Sequence, residues 1–254
     1  MTTPGARYQE RLESGRFAPD PEQAKVVAAL DRLHGELTET GSSGLGALWR
    51  RVTGQPTPGP EGLYLWGGVG RGKTWLMDLF YETLTIDAKR RTHFHAFMLE
   101  VHDLLREERK KESGDPIPPV AAQLAQGLRV LAFDEMVVNN SADAMIMSRL
   151  YRSLIVDHGV TIVTTSNRPP HDLHKDGLNR EHFLPFIDLI ETELNVVELN
   201  GPTDYRLDRI GGMESWHCPI GDAATAQVRE LFFRMTDFAP EDAEHVPSAE
   251  LDLG

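Results

Sequence analysis

The sequence predicts an α/β fold, an open sheet of parallel strands with helices on its faces, and three observations predict it. Leu63-Tyr64-Leu65-Trp66 is a short apolar run that reads as a buried strand, and apolar residues at 76, 79, 80 and 84 then follow a helical period. Between them lies Gly67-Gly68-Val69-Gly70-Arg71-Gly72-Lys73-Thr74, which fits G-x-x-x-x-G-K-[ST]. Finally, Leu128 to Phe133 is a second apolar run, and it ends in Asp134-Glu135, 61 residues after Lys73. One strand-like segment separates the two runs. That order points to the branch of phosphate-loop proteins in which the two motif strands are not neighbours.

Each motif residue type carries its own chemistry. Glycines let backbone N–H groups turn inward around phosphate oxygens, and a helix N-terminus adds partial positive charge. Gly67, Gly68, Val69, Gly70, Arg71 and Gly72 would form that cradle, Lys73 would reach the β- and γ-phosphates, and the Thr74 hydroxyl would ligate Mg²⁺. A chance glycine turn is the bland alternative, and the flanking strand and helix count against it. In open sheets of this kind, ligands bind at strand C-termini, where Asp134 and Glu135 fall. Asp134 would hold Mg²⁺, and Glu135, on the other side of the strand, would deprotonate the water attacking the γ-phosphate. The sequence therefore predicts ATP and Mg²⁺ as cofactors.

Composition narrows the setting. The chain of 254 residues is 40% hydrophobic and 26% charged, an ordinary balance for a globular protein. Its formal charge of −13 argues against a broad phosphate-tracking surface, so nucleic acid is not the expected partner. The lone cysteine, Cys218, excludes an intrachain disulfide and suits a reducing compartment. The N-terminal residues lack an apolar signal region, and no run approaches a membrane span, so the expected location is cytoplasmic.

Residues 1–60 read as a helical lead-in. Asp20 is placed to cap a helix with Pro21 in its first turn and an apolar stripe at 26, 27, 30, 33 and 37. Gly41 to Gly46 and Gly54 to Gly62 read as connections. Residues 61–210 form the core. Within it, Thr92 to Phe97 is a candidate strand, and a helix carrying Val101, Leu104 and Leu105 follows. His93 and His95 would share one strand face, and hydrogen-bonded or packed histidines are preferred there over a metal site. The helix from Ser141 to Asp157 carries Ala142, Met145, Ile146, Leu150 and Leu154 as its apolar face. Val160 to Thr164 is the next strand, and Asn167 at its tip is a candidate γ-phosphate sensor. Arg180 stands at the start of a helix bearing Phe183, Phe186, Ile187 and Ile190, where its charge opposes the helix dipole. It reads as an arginine finger for a neighbouring subunit or as a plain surface arginine. Asn195 to Leu199 is the last strand. Residues 211–254 read as an incomplete C-terminal extension, with a helix over 223–235 and an acidic tail of six carboxylates from Thr236 onward.

Taken together, the motifs resemble a known family. Asp20-Pro21-Glu22-Gln23, the glycine loop, His93-Phe94-His95-Ala96-Phe97-Met98, Phe133-Asp134-Glu135, Thr165-Ser166-Asn167-Arg168-Pro169-Pro170 and Gly177-Leu178-Asn179-Arg180 occur in an order similar to the ZapE and AFG-one-like family of AAA+ P-loop ATPases. Asp204-Tyr205-Arg206 is similar to a further signature of that family, and the resemblance spans roughly residues 8–210. It implies a three-layer core around a five-stranded parallel sheet of order 5-1-4-3-2, a homo-oligomeric ring, Asn167 as sensor and Arg180 as finger. For bacterial members it implies a cell-division role, with FtsZ as partner and recruitment to the division site; for mitochondrial relatives it implies protein quality control. Met136 stands where the family has Phe, Val138 to Ser141 replaces a segment that usually holds an aspartate, and the family's helical lid finds no match before Gly254. The expected activity is Mg²⁺-dependent ATP hydrolysis coupled to remodelling or regulating a protein. The alternatives are a nucleotide-binding interaction protein with little turnover, through lack of a lid, and a helicase-loader type of AAA+ protein.

Overall fold

The computed structural model describes residues 2–14, 19–39, 59–112, 114–138, 140–175, 177–201 and 219–236. The expected connection at 41–46, most of that at 54–62, the Asp-Tyr-Arg signature, Cys218 and the tail beyond Thr236 lie outside these residues. Two compact units are present, Met1–Gly201 and Pro202–Gly254. In the second, the described element is one helix, Asp222–Met235.

The first unit holds helices α1 (Pro4–Glu13) and α2 (Pro21–Glu39), strand β1 (Gly62–Trp66), α3 (Lys73–Thr83), β2 (Lys89–His93), α4 (Phe94–Arg109) and α5 (Ile117–Ala125). It continues through β3 (Val130–Asp134), α6 (Ser141–Arg152), β4 (Thr161–Ser166), α7 (Leu184–Glu193) and β5 (Leu194–Glu198). All strands are parallel in the order β2-β3-β4-β1-β5, which is the expected 5-1-4-3-2 read from the other edge.

Strand alternation divides the core in two. Leu63, Leu65, Val130, Ala132 and Val163 face α1, α2 and α3, packing with Val26, Leu30, Leu33, Leu76 and Phe80. Tyr64, Leu131, Phe133 and Ile162 face α4 to α7. Both faces are covered, which is why the central strands read as continuous apolar runs. Phe133 anchors the second face, with ring contacts to Phe97 at 4.7 Å, Tyr151 at 5.8 Å and Phe94 at 5.9 Å. Met136 is fully buried there and accepts from the Tyr151 hydroxyl at 3.8 Å.

Two sequence expectations change, and one helix is new. The strand placed at Thr92 to Phe97 lies earlier, at Lys89–His93, and Phe94 opens α4, so His93 and His95 do not share a strand face. A Lys-Arg-Arg-Thr-His edge strand paired with β3 alone has no apolar signature, and its charges protect the edge from adventitious pairing. In α6 the buried face is Ala144, Met147, Leu150 and Tyr151, while Met145 is half exposed. The helix also passes into a wider π turn over Ser153–Asp157. Finally, α5 begins Ile117-Pro118-Pro119, a helix that its prolines conceal although they are tolerated in a first turn.

At the start of α2, Asp20 Oδ1 accepts from the Glu22 N–H at 2.8 Å and the Gln23 N–H at 3.4 Å. Asp20→Ala removes this cap, and a loss of about 1 kcal/mol is expected in denaturant unfolding. An unchanged midpoint would show that the cap contributes nothing net.

Candidate functional site

The glycine loop is fixed from several sides. The Gly67 N–H donates to Ser166 O of β4 at 3.2 Å, and the Leu199 N–H donates to Trp66 O at 2.7 Å. A Cβ on Gly67 would collide with the Leu199 carbonyl, so only glycine lets the chain pass there. Gly72, at φ +88°, turns the loop into α3 and caps it without a side chain. The Gly68 N–H donates to Asn200 Oδ1 at 3.1 Å, and Gln23 Nε2 donates to Arg71 O at 3.3 Å. Gln23 thus ties the lead-in helix to the loop.

Lys73 draws the site together. Its buried ammonium donates to Gly67 O at 2.8 Å, Gly68 O at 2.7 Å and Asn167 Oδ1 at 2.9 Å. The loop and the tip of β4 therefore meet on one cation. Thr74 lies exposed in the first turn of α3, next to it.

Asp134 ends β3, in register with His93 of β2, and is 5% exposed. Its Oδ2 accepts from Arg91 Nε at 2.9 Å and Nη2 at 2.7 Å, while its Oδ1 is buried with no partner. Arg91 Nη1 also bonds Asp78 of α3, so one guanidinium joins α3, β2 and β3. Burial works to lower the Arg91 pKa, but the bonds and charges of Asp134 and Asp78 outweigh it and hold it above its ordinary value.

Glu135 departs from the strand geometry the sequence suggested. It leaves β3 with φ +51°, a left-handed conformation that costs a non-glycine residue energy, and its side chain is exposed. Its direction is set by this turn rather than by strand alternation. The turn is held by β4: the Glu135 N–H donates to Thr165 Oγ1 at 3.0 Å, Met136 N–H to Thr165 O at 2.7 Å, and Ser166 Oγ to Met136 O at 3.2 Å. The tip of β4 thus braces Glu135 on one side and presents Asn167 to Lys73 on the other.

Arg180 does not join this group among the described residues. Its Nη1 donates to Leu173 O at 2.8 Å and its Nη2 to His171 O at 2.6 Å, beside a His174–Phe183 stack at 4.1 Å. It belongs to a 3₁₀ turn, Arg180–His182, that precedes α7. These carbonyls give a reason for a basic residue there that the sequence did not reveal. Arg91, Asp78, Thr165 and Asn200 were not singled out by sequence, because their partners lie on other elements.

The residues present suit a triphosphate and its metal. The N–H groups of Val69, Gly70, Arg71 and Gly72 find no acceptor among the described residues, and Arg71 Nε and Nη1 are buried without partners. These donors and the start of α3 make an anion cradle. The orphaned Asp134 Oδ1 is the kind of hard oxygen that Mg²⁺ takes, directly or through water.

Comparison with known proteins gives a concordant result. The profile of the AFG1-like ATPase family matches residues 2–252, beyond the 8–210 seen from motifs. The chain is 38% identical over 260 residues to the cell division protein ZapE of Escherichia coli (strain K12), covering 98% of this chain and 68% of that protein. It is 39% identical to uncharacterized protein C115.02c of Schizosaccharomyces pombe (strain 972), over 91% of this chain and 57% of that one. It is also 38% identical to lactation elevated protein 1 homolog B of Danio rerio, over 78% and 42%. Among solved structures, the replication initiator DnaA bound to AMPPCP and single-stranded DNA superposes with a TM-score of 0.50 at 15% identity, over 87% of this chain and 62% of that one. That likeness is one of fold. Among the described residues, no helix is long and apolar enough to cross a membrane.

Proposed function

The chain belongs to the AFG1-like ATPase family, and from that membership we propose that it binds ATP with Mg²⁺ and hydrolyses it to remodel or regulate a protein partner. The observation that carries this reading is the Lys73 ammonium, which links the glycine loop to Asn167 at the tip of β4. Loop N–H groups and Lys73 hold and neutralise the β- and γ-phosphates. Thr74 and Asp134 hold the metal, which when bound offsets charge developing on the phosphoryl oxygens. Glu135 accepts a proton from the attacking water, and Asn167 exchanges its contact with Lys73 for one with the terminal phosphate or that water. Phosphoryl transfer asks chiefly for positioning and electrostatics, and the Thr165 brace supplies the first for Glu135.

The same reading places the chain in a homo-oligomeric ring with Arg180 reaching a neighbour's nucleotide. The E. coli relative is a cell division protein, which supports a division protein as partner, with FtsZ the specific proposal from the family resemblance. The net charge of −13 weighs against a nucleic-acid partner.

The deciding experiment is release of radiolabelled phosphate from ATP with and without Mg²⁺, across protein concentrations that span assembly. Metal-dependent release that rises with assembly is expected. Tight ATP binding with no release at any concentration would replace the enzyme reading with a nucleotide-binding interaction protein.

A further inference from the structure

We propose that Arg91 is a displaceable counter-ion of Asp134, with Asp78 as its second partner, and that this arrangement makes metal binding conditional on nucleotide. The inference rests on the assignment of Asp134 as a metal ligand under the proposed function. Three observations carry it. Asp134 is almost fully buried, and its Oδ2 is engaged twice by Arg91 while Oδ1 has no partner. Arg91 is about three-quarters buried and fixed to both carboxylates, with Asp78 on the same helix as Thr74 and one turn beyond it. It stands on an edge strand beside Arg90, whose own charge is taken by Glu100.

A buried carboxylate left unpaired would be costly, so a cation has to stand near Asp134 before the metal arrives. Arg91 fills that need. A divalent ion brought to Asp134 would be repelled by the guanidinium, and the protein alone therefore holds it weakly. A triphosphate adds several negative charges and tips the balance. As the metal takes Asp134, the guanidinium keeps a charged partner in Asp78, so its displacement leaves no buried cation unpaired. A purely structural brace between α3, β2 and β3 would give the same contacts but no effect on metal affinity.

The test measures Mn²⁺ binding by electron paramagnetic resonance, with nucleotide-free protein and with its ATP complex. Arg91→Gln removes the positive charge, and nucleotide-free Mn²⁺ affinity is expected to rise about tenfold or more. Arg91→Lys keeps the charge and is expected to stay near wild type. In Arg91→Gln/Asp134→Asn the gain should vanish. Equal nucleotide-free affinity in wild type and Arg91→Gln overturns the proposal. Where Arg91→Gln fails to fold by circular dichroism, Asp78→Asn supplies the result. Arg91 then has only Asp134, and Mn²⁺ affinity of the ATP complex should fall about threefold or more; an unchanged value overturns the proposal too. Binding of ATP to wild-type protein, followed in parallel by calorimetry, reports on the proposed function separately. Loss of ATP binding refutes that function, whereas intact ATP binding with no Arg91 effect refutes only the counter-ion.

Discussion

Glu135→Gln is expected to lower phosphate release by about 10²–10⁴-fold while leaving ATP affinity near wild type. Glutamine preserves the size of the side chain but cannot take a proton from water, so the change removes the base and little else. The backbone is fixed independently of the side chain, through Thr165 Oγ1 and the Met136 bonds to β4. Both residues must also occupy the same left-handed conformation at φ +51°. Strain at this position is therefore common to wild type and variant, and because the side chain is exposed, stability should stay within about 0.5 kcal/mol. Unchanged thermal unfolding with collapsed turnover would mark a chemical role. Near-normal turnover would remove Glu135 as base.

The parts of this site that were legible in the sequence are those whose physics is local. Gly67 to Thr74 needs its own glycines, the preceding strand and the following helix, all within a few residues. The Asp134-Glu135 end of β3 is marked by an apolar run buried on both faces. What stayed hidden depends on partners distant in the chain. Arg91 and Asp134 are separated by 43 positions, and Arg91 and Asp78 by 13, so nothing nearby in sequence marks them as a unit. The charged edge strand β2 compounded this: displaced by a few residues in a pattern-based reading, it put Arg91 outside the sheet rather than level with Ala132. Likewise, the direction of Glu135 follows from a positive φ that periodicity cannot express.

Arg180 carries the second large effect. Arg180→Ala is expected to reduce turnover by about 10³-fold or more with ATP binding retained, as removal of an arginine finger does. The contacts to Leu173 and His171 carbonyls complicate the reading of this substitution, because they hold the turn before α7 within the protomer. Loss of activity alone would fit a distorted turn equally well. Subunit mixing separates the two. Arg180→Ala protein keeps its own Lys73 and loop, whereas Lys73→Ala protein keeps its own Arg180; each alone should be nearly inactive. In a mixed assembly, an Arg180→Ala protomer beside a Lys73→Ala protomer has an intact loop facing an intact arginine. Activity well above the sum of the two separate proteins is therefore expected. Strictly additive activity, with co-assembly verified by sedimentation, would assign Arg180 to its own turn and leave charge neutralisation at the γ-phosphate to Lys73 and the metal.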